Sequence, residues 1–275
     1  MESRNKMEGL NPIFYRNFGL LKLPVITVGT MRWAEKNLNS VQVLDLMRYC
    51  FSSGLNTYHI SKEYSSFPFF KNSFLKFTQQ ERSRFNIVAK VACPDFRDTN
   101  FLSSHFKERI YRLLDDLSID KLSIVQWMDR WDQLNPERDK MRIIRLKEFN
   151  SSLLNCTNDL IKEGVVDEFS SFPYSVNYAD NLLNTESINK FTCYFNSSER
   201  DYEHLIDTSQ GFIAIRPFKA KELLNNKSDK TEAIAKSLEF VLSKNISSTI
   251  VGINNTNQVD EIIQILDGLE VDLNN

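Results

Sequence analysis

Two side chains suited to acid–base chemistry close successive segments with predicted strands. Tyr64 closes GLNTYHISKEY (54–64), and Lys90 closes FNIVAK (85–90). A phenol can donate a proton to a reacting oxygen, and a nearby ammonium favours the phenolate left behind. His59 precedes Tyr64 by five residues. We interpret Tyr64 and Lys90, with His59, as a candidate catalytic group.

The next run along the chain, SIVQWMD (123–129), contributes Met128 at its end. A thioether is a weak acceptor and no donor, so Met128 cannot orient a carbonyl through a strong hydrogen bond. Trp33 and Trp131 follow the first and fourth runs. Aromatic walls suit an apolar or sugar-like ligand, and we predict a substrate pocket of Trp33, Met128 and Trp131. Trp127 lies inside a strand, so packing in the core and contact with a ligand are equal alternatives for it.

Metal chemistry is not expected, because the chain has three histidines, and His105 and His204 stand in polar helical stretches. A three-histidine site would need all three. The four cysteines form no CxxC pair. With no apolar leader or membrane-length run, we expect a cytoplasmic, reducing location.

Composition narrows the partners. The 275 residues are 41% hydrophobic and carry a net charge of −2, which argues against a dedicated nucleic-acid binder or a polybasic membrane binder. We expect a small-molecule substrate. The sequence carries no indicator of oligomeric state.

Eight short apolar runs alternate with amphipathic stretches along the chain. The alternation predicts an α/β fold, a (β/α)8 barrel spanning 1–275 as one domain. The rival is a doubly wound sheet, which usually carries a glycine-rich first turn that is absent here. The segment 13–23 is predicted to form a hairpin plugging the barrel bottom. The runs are 23–29, 55–60, 85–92, 121–128, 165–172, 191–196, 211–218 and 247–253.

The order and spacing of these runs over about residues 20–267 resemble the aldo-keto reductases. LPVITVGTMRW is similar to the opening strand of that family, GLNTYHISKEY to the segment ending in its catalytic tyrosine, and FNIVAKV to its lysine strand. The resemblance implies hydride transfer between a nicotinamide cofactor and a carbonyl. Tyr64 would be the general acid and Lys90 the cation that lowers its pKa. His59 stands where the family has aspartate, and Met128 where it has histidine.

The resemblance also implies NAD(P)H as cofactor and no metal. The corresponding positions depart from the family: Phe172-Pro173 replaces Ser-Asn, Ile215 replaces an aromatic residue, and neutral Gln258 replaces a cation. RPFKAK (216–221) offers a phosphate grip, or alternatively surface charge at a helix start. The predicted cofactor-binding residues are Gly29, Thr30, Met31, Thr192, Arg216, Phe218, Gln258 and Glu261.

Three functions remain open from the sequence. The first is a reductase of this type, slow or tuned to an unusual carbonyl or sugar-like substrate. The second is a ligand-binding protein that kept the barrel and lost redox chemistry. The third is a non-redox lyase or isomerase using Tyr64, Lys90 and His59 for acid–base steps.

Overall fold

All eight predicted runs pair as parallel strands and close into a barrel in the computed structural model, which confirms the (β/α)8 prediction. The structure describes residues 14–96, 98–131, 136–225 and 229–269, with only the backbone for 136–138. The circular strand order is β10-β3-β4-β5-β6-β7-β8-β9. The barrel strands are β3 (Ile26–Gly29), β4 (Thr57–Ser61), β5 (Asn86–Ala92), β6 (Leu122–Met128), β7 (Val166–Ser171), β8 (Phe191–Tyr194), β9 (Phe212–Ile215) and β10 (Ser248–Gly252).

Helices connect the strands on the outside of the barrel and bury their apolar faces against it. Five helices follow the predicted amphipathic stretches: α1 (Ser40–Ser52), α4 (Ser103–Leu117), α5 (Pro136–Lys162), α8 (Lys230–Leu242) and α9 (Thr256–Asp267). The sequence pattern missed four shorter helices, which have too few turns for a clear period. These are α2 (Phe67–Phe74), α3 (Gln79–Arg82), α6 (Val176–Leu183) and α7 (His204–Thr208). No helix in the described ranges is long and apolar enough to cross a membrane.

An antiparallel hairpin of β1 (Tyr15–Phe18) and β2 (Leu21–Pro24) precedes the barrel. Phe18 and Leu23 are fully buried and form one apolar cluster with inward-facing strand residues, including Val88. The hairpin therefore plugs the amino-terminal end of the barrel, as predicted. A Cβ at Gly211 would lie 2.7 Å from the Phe18 ring, so this close approach needs glycine.

Side chains alternate along each strand and form layers above this plug. Polar residues occupy the middle of the barrel, where Lys90 of β5 pairs in register with Gln126 of β6. Above them, Met128 and Phe172 form an apolar cluster with neighbouring residues. The barrel thus presents a polar floor and an apolar wall toward its carboxyl-terminal mouth.

The hairpin plug should stabilise the barrel mainly through Phe18. We expect Phe18→Ala to lower the free energy of unfolding by about 3–5 kcal/mol, because it leaves a cavity in a fully buried cluster. Urea denaturation followed by circular dichroism measures this change. Leu20→Ala is the matched control, since Leu20 of the same hairpin is 97% exposed. An equal loss in both variants would contradict the plug.

Candidate active site at the barrel mouth

A cavity of about 330 Å³ opens at the carboxyl-terminal mouth of the barrel and is lined by both Tyr64 and Lys90. His59 and Gln126 form part of its polar lining, and the apolar part comes from Met128, Phe172, Tyr174, Tyr194 and Ile215. A larger depression, of about 450 Å³, lies between α1 and α2. That depression has Lys76 as its single charged lining residue, so we place the site at the mouth.

Tyr64 lies in the turn after β4, where its backbone nitrogen donates to the Ser61 carbonyl at 3.1 Å. Lys90 extends from β5, and its Nζ lies 5.2 Å from the centre of the Tyr64 ring. The ammonium therefore faces the ring, and no Lys90–Tyr64 hydrogen bond occurs. Burial raises the pKa of Tyr64, and Glu63 raises it further, while Arg130 opposes this rise. The sequence-based expectation that Lys90 lowers the tyrosine pKa thus differs from this geometry.

His59 is buried beside Lys90, and its Nε2 lies 2.7 Å from Oε1 of Gln126. Since an amide oxygen only accepts, this contact requires a proton on Nε2. Burial, followed by the charge of Lys90, lowers the pKa of His59 to about 3. With this lowered pKa, His59 is neutral beside Lys90 at neutral pH. His59 also meets Tyr64 in an edge-to-face ring contact, with centroids 6.2 Å apart.

Lys90 has no ion-pair or hydrogen-bond partner among the residues that the structure describes. Burial and the nearby Arg130 lower its pKa to about 8, against a smaller opposing effect of Glu63. A lysine of this kind changes its charge close to neutral pH, unlike an exposed lysine.

Arg130 is a site residue that sequence reasoning missed. It is 8% exposed, forms a two-pronged ion pair with Glu63, and donates from Nε to the Tyr174 hydroxyl at 3.3 Å. The pair ties the turn carrying Tyr64 to the end of β6. Its sequence signal was present, since Glu63 adjoins Tyr64 and Arg130 follows Met128 by two residues.

The structure brings one of the three predicted pocket residues to the cavity. Met128 lines it, and its sulfur accepts a hydrogen bond from the Tyr174 hydroxyl at 3.5 Å. Trp33 is fully buried outside the cavity, where its Nε1 donates to the Ile253 carbonyl at 2.7 Å. Trp131 packs under the Arg145 guanidinium, 3.9 Å from its ring centre. The tryptophans therefore do not form one aromatic wall.

Solved structures with the same fold are found by comparison, whereas no protein-family model and no curated protein matches the sequence. An aldo-keto reductase from Bacillus halodurans, in its holo form, has a TM-score of 0.72 and 14% identity, over 95% of this chain and 93% of that one. An aldo-keto reductase from Klebsiella pneumoniae, in complex with NADP and acetate, has a TM-score of 0.69 and 16% identity, over 93% of this chain and 90% of that one. A candidate aldo-keto reductase from Pseudomonas aeruginosa has a TM-score of 0.69 and 17% identity, over 96% of this chain and 100% of that one.

The chain has the aldo-keto reductase fold. Of the cofactor positions predicted from that resemblance, Gly29, Met31, Arg216 and Phe218 line the cavity. Thr30 does not, because its hydroxyl is buried and donates to the His59 carbonyl at 3.0 Å.

Three other predicted cofactor positions lie away from the cavity of this reductase fold. The Thr192 hydroxyl donates to Ser170 Oγ inside the barrel wall at 2.9 Å. Gln258 Oε1 accepts from the Asn254 backbone nitrogen at 2.8 Å, and Glu261 accepts from the Thr231 hydroxyl at 2.7 Å. Their predicted roles stay predictions, and their side chains are already engaged in local hydrogen bonds.

A cationic rim crosses one side of the mouth and consists of Arg32, Lys36, Arg216 and Lys221, all lining the cavity. The pKa of Lys221 is lowered, first by Lys36, then by burial and Arg32. The carboxylates paired with this rim form only long ion pairs: Glu35 lies 3.7 Å from Arg32, and Glu199 lies 3.8 Å from Arg216. This excess of positive charge favours an anionic group.

The segment after β9, which carries the rim residues Arg216 and Lys221, has an unusual backbone conformation. Arg216, Lys219, Ala220 and Lys221 all have positive φ, between 46° and 81°. Non-glycine residues in this region are strained and concentrate at functional sites. Arg216 and the 216–221 segment were predicted from the sequence, whereas Arg32 and Lys36 were not.

Acidification should reveal the buried neutral state of His59. Its pKa is about 3 in the folded chain and about 6.5 when unfolded. Between these values only the unfolded chain binds the proton, so stability falls as pH falls below about 6.5. We expect His59 to account for a loss of about 2 kcal/mol between pH 7 and pH 5.

Urea denaturation of His59→Gln at both pH values measures this contribution. The variant should lose less stability on acidification than the wild type, whereas His105→Gln, at an exposed position, should behave as the wild type does. An unchanged pH dependence in His59→Gln would mean that His59 is not held neutral.

Proposed function

We propose that this chain is an aldo-keto-reductase-like oxidoreductase that transfers hydride between a nicotinamide cofactor and a carbonyl or sugar-like small molecule. The observation that carries the proposal is the meeting of Tyr64 and Lys90 in one cavity at the mouth of the barrel. The NADP complex of the Klebsiella pneumoniae neighbour supports the choice of cofactor. We further propose one barrel domain over 1–275, acting in the cytoplasm.

The lining of the cavity fits a nicotinamide dinucleotide at its phosphate end. Arg32, Lys36, Arg216 and Lys221 offer cations for the two phosphates, on a rim short of carboxylates. The other end is less polar, since Phe172 and Ile215 line it. When bound, such a cofactor supplies the hydride. The residues of the chain must then hold the carbonyl and supply the proton.

Tyr64 holds its proton throughout the physiological pH range because burial raises its pKa. It is therefore available as the general acid that protonates the carbonyl oxygen during reduction. Arg130, rather than Lys90, is the cation that stabilises its phenolate. The pairing of Arg130 with Glu63 weakens this effect, which fits a slow or atypical reductase.

The apolar wall around Met128 supports a substrate with a compact carbonyl and a limited number of hydroxyl groups. Gln126 is the one polar side chain of the described lining that is fully buried with an unpaired donor, its Nε2. An amide nitrogen at that place can donate a hydrogen bond to an oxygen of the ligand. It can thereby orient the carbonyl, which Met128 cannot do.

Substitution of the tyrosine tests the redox proposal. We expect Tyr64→Phe to lower carbonyl reduction by NADPH or NADH on the order of 10²-fold or more, because the proton donor is lost. The dissociation constant of the nucleotide, measured by fluorescence titration, should stay nearly unchanged. Tyr15→Phe, at an exposed position of the hairpin, is the control. Turnover equal to wild type in Tyr64→Phe would remove Tyr64 from the mechanism, and absence of nucleotide binding at millimolar concentration would refute the proposal.

The cationic rim predicts the salt dependence of nucleotide binding. We expect Lys221→Ala to weaken binding of NADPH roughly tenfold and to reduce its sensitivity to salt, since one cation facing the phosphates is lost. Lys219→Ala is the matched control on the same loop, because Lys219 pairs with Glu222 at 3.1 Å and does not line the cavity. Equal effects of both substitutions would contradict a phosphate grip at Lys221.

A further inference from the structure

Lys90 presents a half-buried amine to the cavity without a carboxylate to hold its charge. Its neighbour on the adjacent strand β4 is the neutral His59, which is hydrogen-bonded to Gln126. The acid that acts on its charge, Glu63, is engaged by Arg130 in a two-pronged ion pair. Among the described residues, therefore, no anion is paired with the Lys90 ammonium.

A hydrogen-bond donor with no partner stands beside this amine. Gln126 is the register partner of Lys90 on the adjacent strand, is fully buried and lines the cavity. Its Oε1 faces His59, and its Nε2 has no partner in the described part of the chain. A buried donor left unpaired costs about 1–3 kcal/mol, which a ligand oxygen would recover.

We propose that Lys90 is an amine nucleophile that condenses reversibly with the carbonyl of a small aldehyde or ketone to form an imine. The Gln126 Nε2 donates a hydrogen bond to the carbonyl oxygen. The reaction needs no nicotinamide, so this inference stands apart from the redox proposal. The apolar wall beside Lys90, which includes Met128 and Phe172, accepts the carbon skeleton of a small carbonyl compound.

The condensation balances within the cavity. The neutral Lys90 nitrogen attacks the carbonyl carbon, and a proton moves from nitrogen to oxygen to give a carbinolamine. Tyr64 donates a proton to the hydroxyl, which leaves as water while the nitrogen lone pair forms the C=N bond. Solvent returns a proton to Tyr64. The net reaction consumes one carbonyl, one amine and one proton, and yields one iminium and one water.

The electrostatic surroundings keep part of Lys90 in the reactive neutral form. Burial and Arg130 lower its pKa to about 8, and a lysine amine beside a second cation in an apolar cavity is a reactive nucleophile. The facing groups from packed elements are His59, Tyr64 and Glu63 on the β4 side and Arg130 beyond β6. Of these, Glu63 alone favours the ammonium, and Arg130 neutralises it.

Reductive trapping tests the inference. The purified full-length chain, free of nucleotide, is incubated with glyceraldehyde and sodium cyanoborohydride, and each lysine is followed by peptide mass mapping over time. At neutral pH we expect Lys90 to be modified on the order of tenfold faster than exposed lysines such as Lys236, because a larger fraction of it is neutral. The rate at Lys90 should rise with pH and level off above about 8.

Variants separate the nucleophile from general aldehyde labelling. Lys90→Arg should abolish the fast modification, Gln126→Leu should slow it several-fold, and Lys236→Arg should leave it unchanged. In urea-unfolded wild-type protein the preference for Lys90 should disappear. Modification of Lys90 no faster than Lys236 in the folded wild type would overturn the inference, as would a preference that persists after unfolding. Neither result depends on nucleotide binding, so failure here is distinct from failure of the redox proposal.

Discussion

The site depends on a single constraint, a half-buried lysine ammonium in the barrel without a carboxylate paired to it. Where the resemblance implies aspartate, His59 stands, and it cannot neutralise a cation. The histidine accordingly stays uncharged, with its pKa lowered to about 3, and the lysine pKa falls to about 8. The charge of Lys90 therefore helps to keep His59 neutral, whereas burial and Arg130 lower the pKa of Lys90 itself.

The carboxylate that remains nearby is held elsewhere. Glu63 pairs with Arg130, which also contacts Tyr174, and this pair fixes the turn that carries Tyr64. The same pair has opposite effects on the phenol, since Glu63 raises its pKa and Arg130 lowers it. The tyrosine is thus positioned firmly but activated weakly, and the two properties come from one ion pair.

Much of the fold could be predicted from the sequence because buried parallel strands appear as short apolar runs. All eight runs became barrel strands, and the segment before them became the plug. The meeting of Tyr64 with Lys90 was also predictable, since parallel strands bring their carboxyl ends to one mouth.

Side-chain direction in the loops was not predictable in the same way. Trp33 follows a strand end yet turns outward into the helical layer, where it packs on Tyr58 and Phe70. Gln258 and Glu261 sit at the expected place in the chain but bind neighbouring groups. A sequence pattern reports which residues stand after a strand, whereas loop geometry decides which of them reach the cavity.

The cavity combines two environments that impose different demands on a ligand. Its rim concentrates four cations, two of which, Arg216 and Lys221, stand on backbone with positive φ, and this charge favours an anion at the entrance. Its floor holds a neutral histidine, an unpaired amide nitrogen and a lysine amine beneath an apolar wall. A ligand that satisfies both must carry its negative charge outside and its carbonyl inside. This polarity follows from the positions of the residues alone and applies whether hydride transfer or imine formation takes place at the floor.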